Sequence, residues 1–131
     1  MRAITLIAIL AGTSLGRGGD SPQDKPLPPE DAIKRVNETV MVQMVVKASK
    51  NRLEKRGEIY LDSEQDFRDP KNLGVVINRQ GAAKFKDAGI AEPAQHFKGK
   101  IIRVTGTVMK ENELYRLMVE DPKQIQIVVK E

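Results

Sequence analysis

The chain has 131 residues, of which 40% are hydrophobic and 31% charged, with 22 Lys+Arg against 18 Asp+Glu for a net charge of +4. That is one domain's worth of chain, and neither a disordered tail nor a multi-span membrane protein. Cysteine is absent and histidine occurs once, at His96. Disulfide frameworks, thiol nucleophiles, thiolate zinc sites and multi-histidine metal centres are therefore excluded together. We expect a binding module, not an enzyme, and no cofactor.

The N-terminus reads as an export signal. Arg2 supplies a positive start, Ala3 to Leu10 and on to Leu15 a short apolar run, and Thr13-Ser14-Leu15-Gly16 the small residues that a signal peptidase reads. We expect residues 1–16 to be a signal peptide, cleaved after Gly16, and the mature protein to be periplasmic or secreted. The run falls short of the roughly 20 apolar residues that a spanning helix needs, so no membrane span is expected in the mature chain. Residues 17–29 are rich in Gly, Ser, Asp and Pro and end in Pro26, Pro28 and Pro29, a linker composition. The folded domain is expected over residues 30–131.

Pro29 to Val36 has the pattern of a short helix with proline in its first turn. From Thr39 to Ala48, Val40, Val42, Met44 and Val46 alternate with other residues, which predicts a long first strand. Ser49 to Gly57 reads as a polar, basic connection. Glu58–Asp62 is the second strand and Leu73–Asn78 the third, separated by a loop with Asp69-Pro70 as a turn signal. Gln80 to Ala88 then changes to helical spacing, with Gly89 suited to the position after a helix end. Pro93 to Phe97 reads as one further helical turn. Lys100–Met109 and Leu114–Glu120 are the fourth and fifth strands, and Asp121-Pro122 separates them from a last short strand, Gln124–Val129.

Three strands, a helix and two further strands is the element order of the OB-fold, a mainly β, five-stranded Greek-key barrel. Gly106 in mid-strand suits the coiling of a small barrel. A split α+β sandwich built from the same elements is the competing architecture. Several segments carry a resemblance: Glu58–Asp62, Leu73–Ile77, Ala82–Phe85 with Ala88–Ile90, Phe97–Lys100 with Ile102–Val108, and Val119–Ile125 (with Asp121-Pro122-Lys123-Gln124). Together they resemble the small exported bacterial OB-fold proteins of the nucleic-acid-binding, anticodon-binding-like superfamily. They are also similar to OB segments that accompany secreted thermonuclease domains. The resemblance implies an OB barrel over about Val36 to Val129. It implies no nuclease activity, because the nuclease half is missing.

Charge is distributed unevenly. Lys47, Lys50, Arg52, Lys55 and Arg56 stand against Glu54 alone, and Glu58, Asp62, Glu64, Asp66 and Asp69 against Arg68 alone. The basic stretch falls where an OB-fold has its first loop, which flanks the usual oligonucleotide groove together with the loop between the fourth and fifth strands. Lysine and arginine there neutralise phosphates and give sequence-tolerant, salt-dependent affinity. The candidate ligand-binding set is Lys50, Arg52, Lys55, Arg56 and the stacking face of Tyr60, with Arg103 and Lys110. Tyr115 alternates with Leu117 and Val119 and is read as core. The expected ligand is single-stranded nucleic acid or another anionic oligomer. Against it stand Glu58 and Asp62, which flank Tyr60 on its own face, and an aromatic content of 4%. The alternative is an envelope protein-interaction or structural module that holds a peptide or protein partner in the barrel groove or along a strand edge.

Two further features are weaker. Asp62, Glu64 and Asp66 alternate like calcium ligands, but Phe67 stands at the sixth position of an EF-hand loop and Leu73 at the twelfth. No metal site is expected. His96 has no nucleophile motif beside it and reads as surface.

Overall fold

The computed structural model describes residues 25–129. The export signal expected over residues 1–16, and the linker up to residue 24, lie outside these residues. The element order is α1 (Pro29–Ala32), β1 (Thr39–Val45), β2 (Ala48–Arg52), α2 (Leu53–Arg56), β3 (Glu58–Asp62), β4 (Leu73–Asn78), α3 (Arg79–Asp87), α4 (Pro93–Phe97), β5 (Ile101–Glu111), β6 (Leu114–Val119) and β7 (Ile125–Ile127).

The strands pair in the order β1-β5-β6-β4-β3-β2, with β7 on β5. All pairs are antiparallel except β4 with β6, which run parallel and place Leu73 opposite Tyr115 and Val76 opposite Met118. The helix α3 lies between β4 and β5 in the chain. This is the strand order of the OB-fold, with β1 and β2 together filling the place of its first strand. The result is a mainly β, barrel-like structure of seven strands, and the five expected from the sequence are corrected in two places.

The first correction is the split of the long first strand. Val46 donates its N–H to the Lys100 carbonyl at 2.9 Å and accepts from Gly99 N–H at 2.8 Å, whereas Lys47 donates to the Asp62 carbonyl at 2.9 Å. Adjacent residues thus bond to opposite ends of the sheet path. The chain passes from one end of the ladder to the other at this point, and the covalent chain instead of a hydrogen-bond ladder brings the ends together. The expected connection from Ser49 is consequently a strand. Ser49 pairs with Leu61, Lys50 with Tyr60 and Arg52 with Glu58, and the helical turn α2 follows, closed by Gly57 at φ +71°. The second departure from five strands is β7, the last short strand expected over Gln124–Val129, which forms over Ile125–Ile127 and adds to the edge of β5.

Strand β5 is 11 residues long because it serves three partners. β1 pairs along Ile101–Thr107. β7 takes Ile102–Val104 and β6 takes Val108–Glu111. Gly106 stands at the change from β7 to β6. A Cβ there would lie 2.6 Å from Leu117 Cδ2 and 3.0 Å from the Met118 carbonyl oxygen, so glycine lets the two strands approach. Gln124 fastens the same junction. Its Oε1 accepts from Glu120 and Asp121 N–H at 2.8 and 3.1 Å, and its Nε2 donates to the Thr105 and Met118 carbonyls at 2.9 and 3.1 Å.

The interior is filled by alternate residues of every long strand, among them Val42, Ile59, Leu61, Val75, Ile77, Ile102, Val104, Leu117 and Val119. The α3 helix starts at Asn78, whose side chain accepts from Gly81 N–H at 2.7 Å. It buries Phe85 edge-on against Phe97 of α4, with ring centroids 5.8 Å apart. Ahead of α1, Leu27 bonds to β1 through Met41 and Gln43 at 2.8 and 2.9 Å, so the end of the segment read as linker is docked on the barrel.

Candidate functional site

Because side chains alternate along a strand, the residues between the core positions of β2, β3, β4 and β6 share the outer face of the sheet. The pairing aligns Lys50 with Tyr60 and Val76, and Asp62 with Gly74 and Arg116. They line a groove of about 420 Å³, walled by α2 and the 63–72 loop and reached by Leu114 and Tyr115 at the start of β6. Val76 is fully buried on this face and forms part of the floor.

Five of the seven residues expected from the sequence, Lys50, Arg52, Lys55, Arg56 and Tyr60, line this groove. Lys50 and Arg52 stand on β2 and Lys55 and Arg56 on α2, so the cations occupy a strand and a helical turn instead of a loop. None of these four cations has an ion-pair partner or a side-chain hydrogen bond among the described residues. Other cations are engaged: Lys47 with Glu64, Arg68 with Asp66, Lys84 with Asp121.

The other two expected residues stand apart from the lining. Arg103 lies on β5 between Gln43 of β1 and Gln126 of β7 and donates Nε–H to Gln43 Oε1 at 2.8 Å. Lys110 sits over the ring of Tyr115 at 5.4 Å and pairs with Glu113 at 3.6 Å.

The structure adds residues that the sequence reading left out. Arg116, 18% exposed in its side chain, lies with its guanidinium carbon 5.6 Å from the Tyr60 ring centroid and contacts Glu58 and Glu111 at 3.5 Å. Tyr115 packs on the core and also lines the groove, which revises its expected purely interior role. Phe67 is 48% exposed and lines the groove from the 63–72 loop. The low aromatic content is therefore concentrated here, with Tyr60, Phe67 and Tyr115 in one groove.

The acidic flank of Tyr60 is largely compensated. Glu58 accepts from the Tyr60 hydroxyl at 2.6 Å and meets Arg116. Burial and then this hydrogen bond raise the Tyr60 hydroxyl pKa. Asp62 is 8% exposed. Burial pushes its carboxyl pKa up, against the opposing pull of the Asn72 hydrogen bond and the Arg116 and Lys50 charges.

The alternating acids of the 62–66 segment do not converge. Asp62 turns to Asn72, Glu64 to Lys47 and Asp66 to Arg68, and no group of three or more acidic or histidine side chains among the described residues is placed to hold a metal ion. His96 is exposed, edge-on to Phe97 at 4.8 Å. Among the described residues no helix is long and apolar enough to cross a membrane.

No protein-family model matches the chain, and no curated protein matches it. Solved structures do. An aspartyl-tRNA synthetase from Entamoeba histolytica superposes with a TM-score of 0.50 at 14% identity, over 79% of this chain and 21% of its own. A protein assigned as an aspartyl-tRNA synthetase from Leishmania major Friedlin gives 0.50 at 16% identity, over 87% of this chain and 22% of its own. The chain thus spans about a fifth of the length of these structures, and what it shares with them is the barrel-like OB fold.

Proposed function

We propose that this chain is a non-catalytic, exported OB-fold module that binds single-stranded nucleic acid in the groove over β2, β3, β4 and β6. One observation carries the reading: among the described residues, Lys50, Arg52, Lys55 and Arg56 stand without ion-pair partners around three aromatic side chains. Unpaired cations track a phosphate backbone and aromatic faces stack bases, which together give sequence-tolerant affinity for single strands. The two synthetases that share the fold are enzymes of tRNA by name, which supports the same ligand class. Export rests on the pattern of Arg2, the apolar run and Gly16, and N-terminal sequencing of the protein recovered outside the cytoplasm tests it.

The binding test is fluorescence anisotropy of a labelled dT12 strand. Binding at about 50 mM salt that weakens steadily toward about 200 mM is expected, since phosphate contacts release counterions. No binding at about 50 mM refutes the proposal. A second reading, a peptide held by strand addition in an envelope assembly, is favoured by β2 standing at the end of the sheet path and lining the same groove as the exposed Phe67. It predicts a partner whose binding is insensitive to salt and to loss of the four cations.

A further inference from the structure

The groove holds a buried carboxylate that phosphate binding does not use. Asp62 lines it while only 8% exposed. Its Oδ1 accepts from Asn72 Nδ2 at 3.1 Å, and among the described residues Oδ2 accepts no hydrogen bond and neither oxygen is in an ion pair. Buried polar atoms are nearly always hydrogen-bonded, so an open acceptor facing a groove points to a donor supplied from outside.

The carboxylate is also held in one orientation. Asn72 Oδ1 accepts from Glu64 N–H at 2.9 Å and from Ser63 Oγ at 3.3 Å, and its Nδ2 reaches the Phe67 carbonyl at 3.4 Å besides Asp62. Ser63 Oγ in turn accepts from Leu73 N–H at 2.9 Å. These bonds fix which end of the Asn72 amide donates, and they tie the loop that carries Phe67 to the same residue. Opposite Asp62 on β4 stands Gly74, where a Cβ would crowd Asp62 Oδ1 at 3.1 Å.

The complementary ligand is flat, presents two N–H donors side by side and offers apolar faces to Phe67 and Tyr115. Among the nucleobases only guanine does this, through N1–H and the exocyclic N2–H. Adenine and cytosine set one amine beside a bare ring nitrogen, whose lone pair opposes a carboxylate, and thymine or uracil flanks its N–H with two carbonyls. A groove of about 420 Å³ suits one nucleotide and not a duplex.

We infer that the groove selects guanine: Asp62 accepts the paired N1–H and N2–H donors of one unpaired guanine, stacked against Phe67 and Tyr115, with the adjoining phosphates on Lys55 and Arg56. This inference rests on the nucleic-acid reading above and adds a base preference to it. A groove reading only phosphates and stacking faces has no such preference.

The test is anisotropy at pH 8 and about 100 mM salt with dT12 and with the same strand carrying one central G, A or C. The G strand is expected to bind about tenfold tighter than dT12, within the discrimination of a bidentate base contact, and the A and C strands no tighter than dT12. Asp62→Asn is expected to abolish the preference, so that its G strand and dT12 bind equally. Gly74→Ala, which crowds the carboxylate without removing it, is expected to reduce the preference. Equal binding of all four strands, or an Asp62→Asn variant that still prefers G, overturns the inference and leaves the nucleic-acid reading standing. Failure of every strand to bind at about 50 mM salt overturns both. Guanosine monophosphate as competitor identifies the source of the base. Displacement at concentrations near those of the G strand supports a free nucleotide on this site, and a requirement for a large excess supports guanine within a strand.

Discussion

Replacing Lys50, Arg52, Lys55 and Arg56 together by serine separates the two readings of the groove. Each of the four lines it, none is buried, and none has an ion pair to lose among the described residues. The fold should therefore hardly respond, with a Tm within about 5 °C of the wild type, since exposed unpaired charges contribute little to stability. Binding should respond strongly. Four phosphate contacts to a single strand account for a slope of about −2.8 in log K against log salt, hence about a 50-fold loss of affinity between 50 and 200 mM. The variant should lose that dependence and bind more weakly at the lower salt, while circular dichroism shows the same fold. Titrations of labelled dT12 at four salt concentrations supply the slope. An unchanged slope with unchanged affinity would refute the assignment of these residues to phosphate. A variant that unfolds would show that β2 and α2 depend on these side chains for stability.

Three further outcomes are expected. Gly106→Ala should lower Tm, because the added methyl meets Leu117 and the Met118 carbonyl at 2.6 and 3.0 Å; overpacking costs about 1–3 kcal/mol, and thermal melting that shows no loss sinks the close-approach account. Phe85→Ala removes a ring that is 1% exposed and should cost about 3–5 kcal/mol in chemical denaturation; a loss under about 1 kcal/mol would mean that α3 is not packed as described. Asp62→Asn should change the pH dependence of stability. The folded pKa of Asp62 is raised above 3.8, so the folded state holds the proton more tightly, and this contribution is full below 3.8 and lost as pH rises through the folded value. Wild-type Tm minus variant Tm should accordingly fall as pH climbs from about 3.5 to 7, and a difference that is flat or rises contradicts the burial of this carboxyl.

The strands that bury one face were legible. Glu58–Asp62 and Leu73–Asn78 stand where alternation and turn residues put them, and α3 (Arg79–Asp87) covers the expected helical segment and ends before Gly89 at positive φ, as expected. β2 was not legible, because no residue from Ala48 to Arg52 is fully buried. Its pairing with β3 is made by backbone groups, which leave no mark on hydrophobic periodicity. The groove was half legible. A basic run is local in sequence and can be read there, whereas Arg116 reaches Tyr60 only through the parallel pairing of β4 with β6. Phe67 looked like an ordinary loop residue, and what gives it a position is Asn72, whose amide reaches Asp62, Ser63, Glu64 and the Phe67 carbonyl at once. A lone Asn in a polar loop gives no such indication.

The change of partner between Val46 and Lys47 has a consequence for the order in which the chain folds. Residues 48–78 can assemble early, since β2, β3 and β4 pair with near neighbours in sequence. β1 cannot, because its ladder partner begins at Ile101. During synthesis the stretch Thr39–Val45, five of whose seven residues are valine or methionine, therefore waits with its β5-facing edge open until some sixty further residues have left the ribosome. Such a waiting strand is a site for pairing with another nascent chain. Leu27, docked on β1 through Met41 and Gln43, lies on the N-terminal side and is synthesised first, so one flank of that strand has a local partner from the start while the other depends on a late arrival. Slow, non-local closure of this kind places the barrel among the folds that reach the native state in milliseconds to seconds, and makes the C-terminal half the element whose truncation exposes the most adhesive surface of the N-terminal half.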